Sequence, residues 1–229
     1  MLIKFAIASN INFEEKSIPV IIDSLIENGI DPELIHVFSG GYDQYRYTKK
    51  LYHYHKLEHN SYEYSPLITI VERNLESEYW FLLHDTCKVG PKFKELVYNI
   101  PETKPEKIAL HGLPSMSIGA YRYDYLISKP VKDKLLRIKN TDYSEKSMMD
   151  WKFWGVKGED YILHQTHPPA HYYAKQEFIN YTKNTVVVDY NNWYDTPTIR
   201  RTEYYISLDL YKNKSNWTGK RPEDYIIVI

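Results

Sequence analysis

An α/β domain with a mostly parallel central sheet flanked by helices is the fold this sequence predicts, on three observations. Apolar runs and helical repeats alternate from the first residues, no internal repeat or low-complexity linker divides the chain, and 229 residues suit one generous core. Residues 2–8 form a short apolar run with a β-branched share, bounded by Ser9-Asn10, the pattern of a buried strand. Ile18, Ile21, Ile22, Leu25 and Ile26 then recur at helical spacing and stop at Asn28-Gly29, a C-terminal capping signal. Residues 34–38 are a second apolar run, closed by Ser39-Gly40-Gly41, so the opening forty residues spell a βαβ unit.

The stretch 42–64 is polar, aromatic and without period, which predicts a long loop with room for one short strand. From Pro66, a residue suited to a first helical turn, Leu67, Ile68, Ile70, Val71 and Leu75 keep helical spacing. Residues 79–83 read as a very apolar strand running into His84-Asp85-Thr86-Cys87, residues 92–98 as a short helix and 107–110 as a strand. A helix is expected to start within 119–127 and to continue over 131–138, another over about 160–164, and a strand over 185–189. The tail, 225–229, carries one more short apolar run.

Composition narrows the function classes. Lys plus Arg number 29 against 30 for Asp plus Glu, a formal net charge of -1, so the overall balance speaks against a nucleic-acid or anionic-membrane binder. A single cysteine, Cys87, excludes an internal disulfide and a zinc cluster of several thiolates, and fits a reducing compartment. No apolar run approaches the roughly 20 residues that cross a bilayer, so no membrane span and a cytoplasmic location are expected. The 23 tyrosines are unusual: either they supply flat faces with hydroxyls, which suit sugars, or they reflect the codon bias of an A/T-rich genome.

In an open parallel sheet the ligand crevice lies at the carboxyl ends of the strands, which draws attention to Ser9-Asn10, Gly40-Gly41-Tyr42-Asp43 and His84-Asp85. Gly40-Gly41 either lets backbone approach a ligand closely or makes a plain turn. The sequence lacks a Walker A loop and a GxGxxG fingerprint, the usual signals of P-loop hydrolysis and dinucleotide redox chemistry. Asp85 follows Tyr79-Trp80-Phe81-Leu82-Leu83, where a buried strand leaves the sheet, so its carboxylate is either desolvated or bound to something positive. A divalent cation holding a diphosphate is the economical partner; the alternative is a cap on the helix near Pro91 or bonds to nearby backbone amides.

With these residues in place, the chain resembles the nucleotide-sugar glycosyltransferases of the GT-A fold. Phe81-Leu-Leu-His-Asp-Thr86 is similar to the hydrophobic strand and short acidic motif of that family, and Trp151-Lys-Phe-Trp-Gly-Val-Lys-Gly-Glu-Asp160 to its Trp/Gly-rich segment ending in Glu-Asp. The resemblance implies a single GT-A-like, Rossmann-like domain over 1–229, with a nucleotide-sugar half (1–110) and an acceptor half (111–229). It implies transfer of a sugar from a UDP- or GDP-sugar to a hydroxyl of a glycan or glycoprotein, assisted by Mn²⁺ or Mg²⁺. Among such enzymes the chain looks like the small stand-alone type, including those encoded by large DNA viruses, which would place it in host cytoplasm. Where the family carries two aspartates, this chain has only Asp85, and a late histidine is the second metal ligand the resemblance implies: His171 is the first choice, with His164 and His167 also on offer.

The resemblance further implies that Ser9, Asn10, Gly40, Tyr42 and Asp43 line the nucleoside side. Asn60 would reach the nucleobase or ribose, and Arg122 a diphosphate oxygen. Asp160 resembles the base that takes the acceptor proton in an inverting transfer, with Glu159 second, although retention stays open. Trp151, Trp154 and Trp193 either stack an acceptor sugar or belong to the core. Two other functions remain: a non-catalytic carbohydrate- or partner-binding module of the same fold, and a sugar nucleotidyltransferase, whose usual Gly-rich basic loop is missing from Ser9-Asn10-Ile11-Asn12.

Overall fold

The computed structural model describes residues 1–99, 104–109, 118–140, 161–162, 185–189, 199–205 and 208–215. Strand β1 (Ile3–Asn10) lies in the middle of an eight-stranded sheet, and α1 (Glu14–Glu27) carries the chain to β2 (Ile35–Gly40). Gly29 takes φ 81°, and the amides of Gly29 and Ile30 donate to the carbonyls of Ile26 and Leu25, so the capping signal closes α1 as expected. Strands β1 and β2 pair in parallel, which confirms the βαβ opening.

The expected long loop is instead largely a hairpin. β3 (Arg46–Lys49) pairs antiparallel with β4 (His53–Leu57), and β4 adds in parallel to β2. No apolar alternation marks it because β3 (Arg-Tyr-Thr-Lys) is exposed throughout and β4 meets the sheet with His53 and His55, so hydrophobicity does not oscillate along it. The helix α2 (Ser65–Arg73), with Pro66 in its first turn, then crosses the opposite face from α1 to β5 (Tyr79–His84), which lies beside β1. β6 (Cys87–Val89) and α3 (Phe93–Tyr98) follow, then β7 (Lys107–Ala109) and β8 (Gly119–Arg122), α4 (Tyr123–Ile127) and α5 (Lys129–Arg137). Where a helix was expected to start, Gly119–Arg122 is a strand paired antiparallel to β5, and Tyr161–Ile162 is a strand, β9, rather than the expected helix.

The central order is β3-β4-β2-β1-β5-β8-β7-β9. A second sheet has the order β10-β11-β12-β6, built from β10 (Thr185–Asp189), β11 (Ile199–Tyr205) and β12 (Leu210–Ser215) paired to β6. The fold is therefore the expected α/β class with a mixed, centrally parallel sheet. One core face, under α1 and α3, gathers Phe5, Ile7, Val37, Phe81, Leu83 and Phe93, and it extends to Tyr205, Leu208 and Leu210 of the second sheet. The other, under α2 and α5, gathers Phe38, Leu67, Ile68, Trp80, Leu82, Tyr121 and Leu135. Among the described residues no helix is long and apolar enough to cross a membrane. The tail at 225–229 lies outside the described residues.

Candidate functional site

The strand order places β2 on one side of β1 and β5 on the other. The connections from β1 and into β5 run over opposite faces, so the helices diverge at the carboxyl ends of β1 and β5. Asp85 stands there. Its amide donates to the Ala8 carbonyl at 3.0 Å, which extends the β1–β5 pairing by one residue. Its Oδ2 accepts hydrogen bonds from Ser9 Oγ at 2.7 Å and from Ser17 Oγ, in the first turns of α1, at 2.6 Å. Burial pushes the Asp85 carboxyl above the usual carboxylate range, while the Ser17 and Ser9 hydroxyls and the nearby Lys212 ammonium oppose that rise. Asp85 is thus desolvated, one of the two states the sequence pattern leaves open, and the Ser9 and Ser17 hydroxyls donate to it. The helix near Pro91 is served by another residue: Asp209 Oδ2 accepts the Lys92 amide at 2.9 Å.

Lys212 reaches this rim from the second sheet. Asp209, at φ 49°, also accepts the Gly90 amide at 2.8 Å through its backbone carbonyl, and a side chain at Gly90 would collide with its carboxylate. These bonds pin the start of β12 against the turn before α3. Leu210 then enters the core, and Lys212, two residues on and on the same face, lies opposite Cys87 and donates from Nζ to His84 Nδ1 at 2.6 Å.

A second carboxylate lies at the end of β2. Glu14, in the first turn of α1, accepts hydrogen bonds from the hydroxyls of Ser39, Tyr42 and Tyr54. The Lys56 ammonium lies 4.5 Å from the Tyr42 ring centroid. Burial first, and then the Glu14 carboxylate, raise the Tyr42 and Tyr54 hydroxyls above the ordinary phenol range, so both remain protonated donors. Ring faces, hydroxyls, a carboxylate and an ammonium thus meet on one rim.

The expected residues divide accordingly. Ser9, Tyr42 and Asp85 belong to the rim. Asn10 uses its side-chain oxygen on the Asn12 amide at 2.9 Å and turns the chain toward α1, and Asp43 is exposed in the loop beyond Gly41. Gly40 is indeed a point of close approach, but to the protein's own chain: a Cβ there would lie 2.7 Å from the His59 carbonyl and 3.2 Å from Asn60 Oδ1. Asn60 therefore edges the rim through Gly40, and Gly41, at φ 95°, makes the turn. Arg122 is not brought to this site. It pairs opposite Tyr79 at the amino end of β5 and binds Asp124 Oδ1 at 2.5 Å and the Lys104 carbonyl, because β8 runs antiparallel to β5 and carries residue 122 away from the crevice. Asp160, Glu159, His164, His167, His171, Trp151, Trp154 and Trp193 lie outside the described residues. Glu14, Ser17, Tyr54 and Lys212 carry no functional mark in the sequence, and Ser39 reads there only as the end of an apolar run. A Glu in a first helical turn reads as a dipole partner, and only strand pairing reveals the hydroxyls that face it.

The fit of a divalent cation is tested by the same geometry. Among the described residues no group of three His, Cys, Asp or Glu side chains is placed to hold a metal. The Asp85 oxygen that faces α1 is already occupied by two hydroxyl donors, and an ammonium stands in the same corner. The Lys212 ammonium beside that carboxylate disfavours a second cation there by like-charge repulsion. Compared with protein-family models, with curated proteins and with solved structures, the chain matches none.

Proposed function

We propose that the protein is a glycosyltransferase that moves a sugar from a nucleoside-diphosphate sugar to a hydroxyl of a glycan or glycoprotein acceptor. The observation that carries this reading is the paired rim at the switch point of the sheet. Ser9, Asp85 and Lys212 stand at the β1/β5 ends, and Glu14, Ser39, Tyr42 and Tyr54 gather at the β2 end, together offering donors, acceptors and ring faces. In the transfer, the bond between the anomeric carbon and the diphosphate oxygen breaks, the acceptor oxygen bonds to that carbon, and the acceptor proton passes to a carboxylate. The Trp/Gly-rich sequence segment supports Asp160 as that carboxylate, with Glu159 second. The wall formed by Glu14 and Tyr42 would take the nucleoside, and the Asp85 corner the phosphates.

A thermal-shift panel of UDP, GDP and CDP and their common sugars, each with Mn²⁺, with Mg²⁺ and with EDTA, tests the reading. A ligand bound only by the native state raises the melting temperature, by about 2.7 kcal/mol of stabilisation at a hundredfold excess over Kd. One nucleotide is expected to stabilise, and its sugar to be turned over by wild type but not by Asp160→Asn. If no nucleotide shifts the protein under any condition, the donor site is lost and a non-catalytic binding module takes its place.

A further inference from the structure

We propose that the phosphates of the ligand are received at the carboxyl end of β5 by the Lys212 ammonium, so that diphosphate binding in this crevice needs no divalent cation. The inference rests on the reading of the rim as a nucleoside-diphosphate-sugar site and names how its charge is met. Three observations carry it. Lys212 is placed by the fold rather than left on a free surface: the pairing of β12 with β6 sets its register opposite Cys87, Asp209 anchors the strand's start, and Leu210 is fully buried two residues before it. Its Nζ lies 2.6 Å from His84 Nδ1, directly before Asp85, at the strand ends where the sheet's connections diverge. Asp85, the carboxylate that would otherwise hold a metal, has Oδ2 engaged by Ser9 and Ser17 in a buried corner, and no three-ligand group stands among the described residues. An ammonium on a flexible stem, half-exposed at a sheet's ligand end, is a standard receptor for phosphate oxygens, and it supplies fixed positive charge where a metal would supply a mobile one.

His84 has a defined part in this arrangement. Its Nδ1 faces the Lys212 Nζ at 2.6 Å, and this contact fixes where the ammonium stands at the end of β5. Lys212 is a binding residue in this scheme, and His84 a positioning residue.

The test measures calorimetric binding of inorganic pyrophosphate, UDP and GDP to the full chain, in EDTA and in Mn²⁺, for wild type, Lys212→Met, Lys212→Gln and Lys212→Arg. Unliganded melting temperatures identify any variant that fails to fold, and two neutral replacements are run so that one folding defect does not decide the result. Pyrophosphate and one nucleoside diphosphate are expected to bind wild type in EDTA within about threefold of their affinity in Mn²⁺. Lys212→Met and Lys212→Gln should weaken both by about tenfold or more, and Lys212→Arg should restore most of the loss. Binding that appears only with Mn²⁺ overturns the inference while leaving the nucleotide reading intact. Pyrophosphate that fails to bind wild type in EDTA, or binds a folded neutral variant as tightly as wild type, overturns it as well. Metal-free pyrophosphate binding that depends on Lys212, with no nucleotide bound under any condition, keeps the anion site and removes the donor-nucleotide reading instead.

Discussion

Two regions of the central sheet bury polar side chains, and they do so by opposite means. At the carboxyl ends of the strands, carboxylates are surrounded by hydroxyl donors: Asp85 by Ser9 and Ser17, Glu14 by Ser39, Tyr42 and Tyr54. Deeper along β2 and β4, on the face under α2, neutral imidazoles are packed like aromatic rings. His36 stacks on His53 at 4.0 Å between centroids and meets the edge of Trp80 at 4.9 Å, while His55 stacks on Phe38 at 4.5 Å. Hydrogen bonds join His36 Nδ1 to His55 Nε2 and His55 Nδ1 to the Tyr45 hydroxyl, each at 3.1 Å, and Tyr47 reaches His53 at 2.7 Å. His36 Nε2 has no hydrogen-bond partner among the described residues. The carboxylate ends satisfy their oxygens with hydroxyl donors, whereas the imidazole stack buries rings against rings. That difference separates the polar rim of strand ends from the packed rings deeper in the sheet.

Acid separates the two regions most sharply. Burial holds His36 near a pKa of about 2 and His55 near about 3, against 6.5 in the unfolded chain. With folded values depressed, the unfolded state binds more protons. The stability these two groups confer is therefore complete above about 6.5 and is lost progressively as pH falls toward 2 to 3. The slope approaches about 1.4 kcal/mol per pH unit for each imidazole, a loss of a few kcal/mol by about pH 5. Denaturant midpoints at pH 7.5, 6 and 5 should fall steeply in wild type and less steeply in a His36→Phe/His55→Phe double variant. An equal slope in both would show that the stack does not govern acid unfolding.

Asp85 comes next in size. Asp85→Ala leaves the Ser9 hydroxyl without its acceptor, while Ser17 keeps the Phe13 carbonyl at 3.0 Å, and should cost about 1–3 kcal/mol. Asp85→Asn keeps an acceptor oxygen and removes a desolvated charge, so it should cost less than about 1 kcal/mol. Urea unfolding of the pair reads the difference, and a loss in Asp85→Asn as large as in Asp85→Ala would mean that the charge itself stabilises the corner. The smallest effect is expected at Glu14, which is only half-buried. Glu14→Gln retains one acceptor for three hydroxyls and should destabilise by about 1 kcal/mol, with a visible change in tyrosine absorbance as Tyr42 and Tyr54 lose their shared carboxylate.

Much of the fold was legible because its central strands are continuous apolar runs. Residues 79–83 are buried on both faces and read as a strand from hydrophobicity alone, and Asn28-Gly29 announced the end of α1 through backbone chemistry. The β3–β4 hairpin stayed hidden, since β3 is exposed along its whole length and His53 and His55 of β4 are polar by composition and pack like rings only when stacked on His36 and Phe38 of β2. At the site, Asp85 was legible from its place after an apolar strand. Ser17 and Lys212 were not, because they reach it from 68 residues upstream and from a separate sheet.

By itself, then, the sequence determined the α/β class, the order of the first strands and helices, and the position of a carboxylate where a buried strand leaves the sheet. These follow from local periodicity and from the cost of burying a charge, both of which act over a few residues. The tertiary structure alone decided what meets that carboxylate, sending Arg122 to the far end of the sheet and bringing Lys212 to the near one. Strand direction and pairing register are set by packing across the whole sheet, and no local pattern encodes which distant side chain they deliver to a given corner.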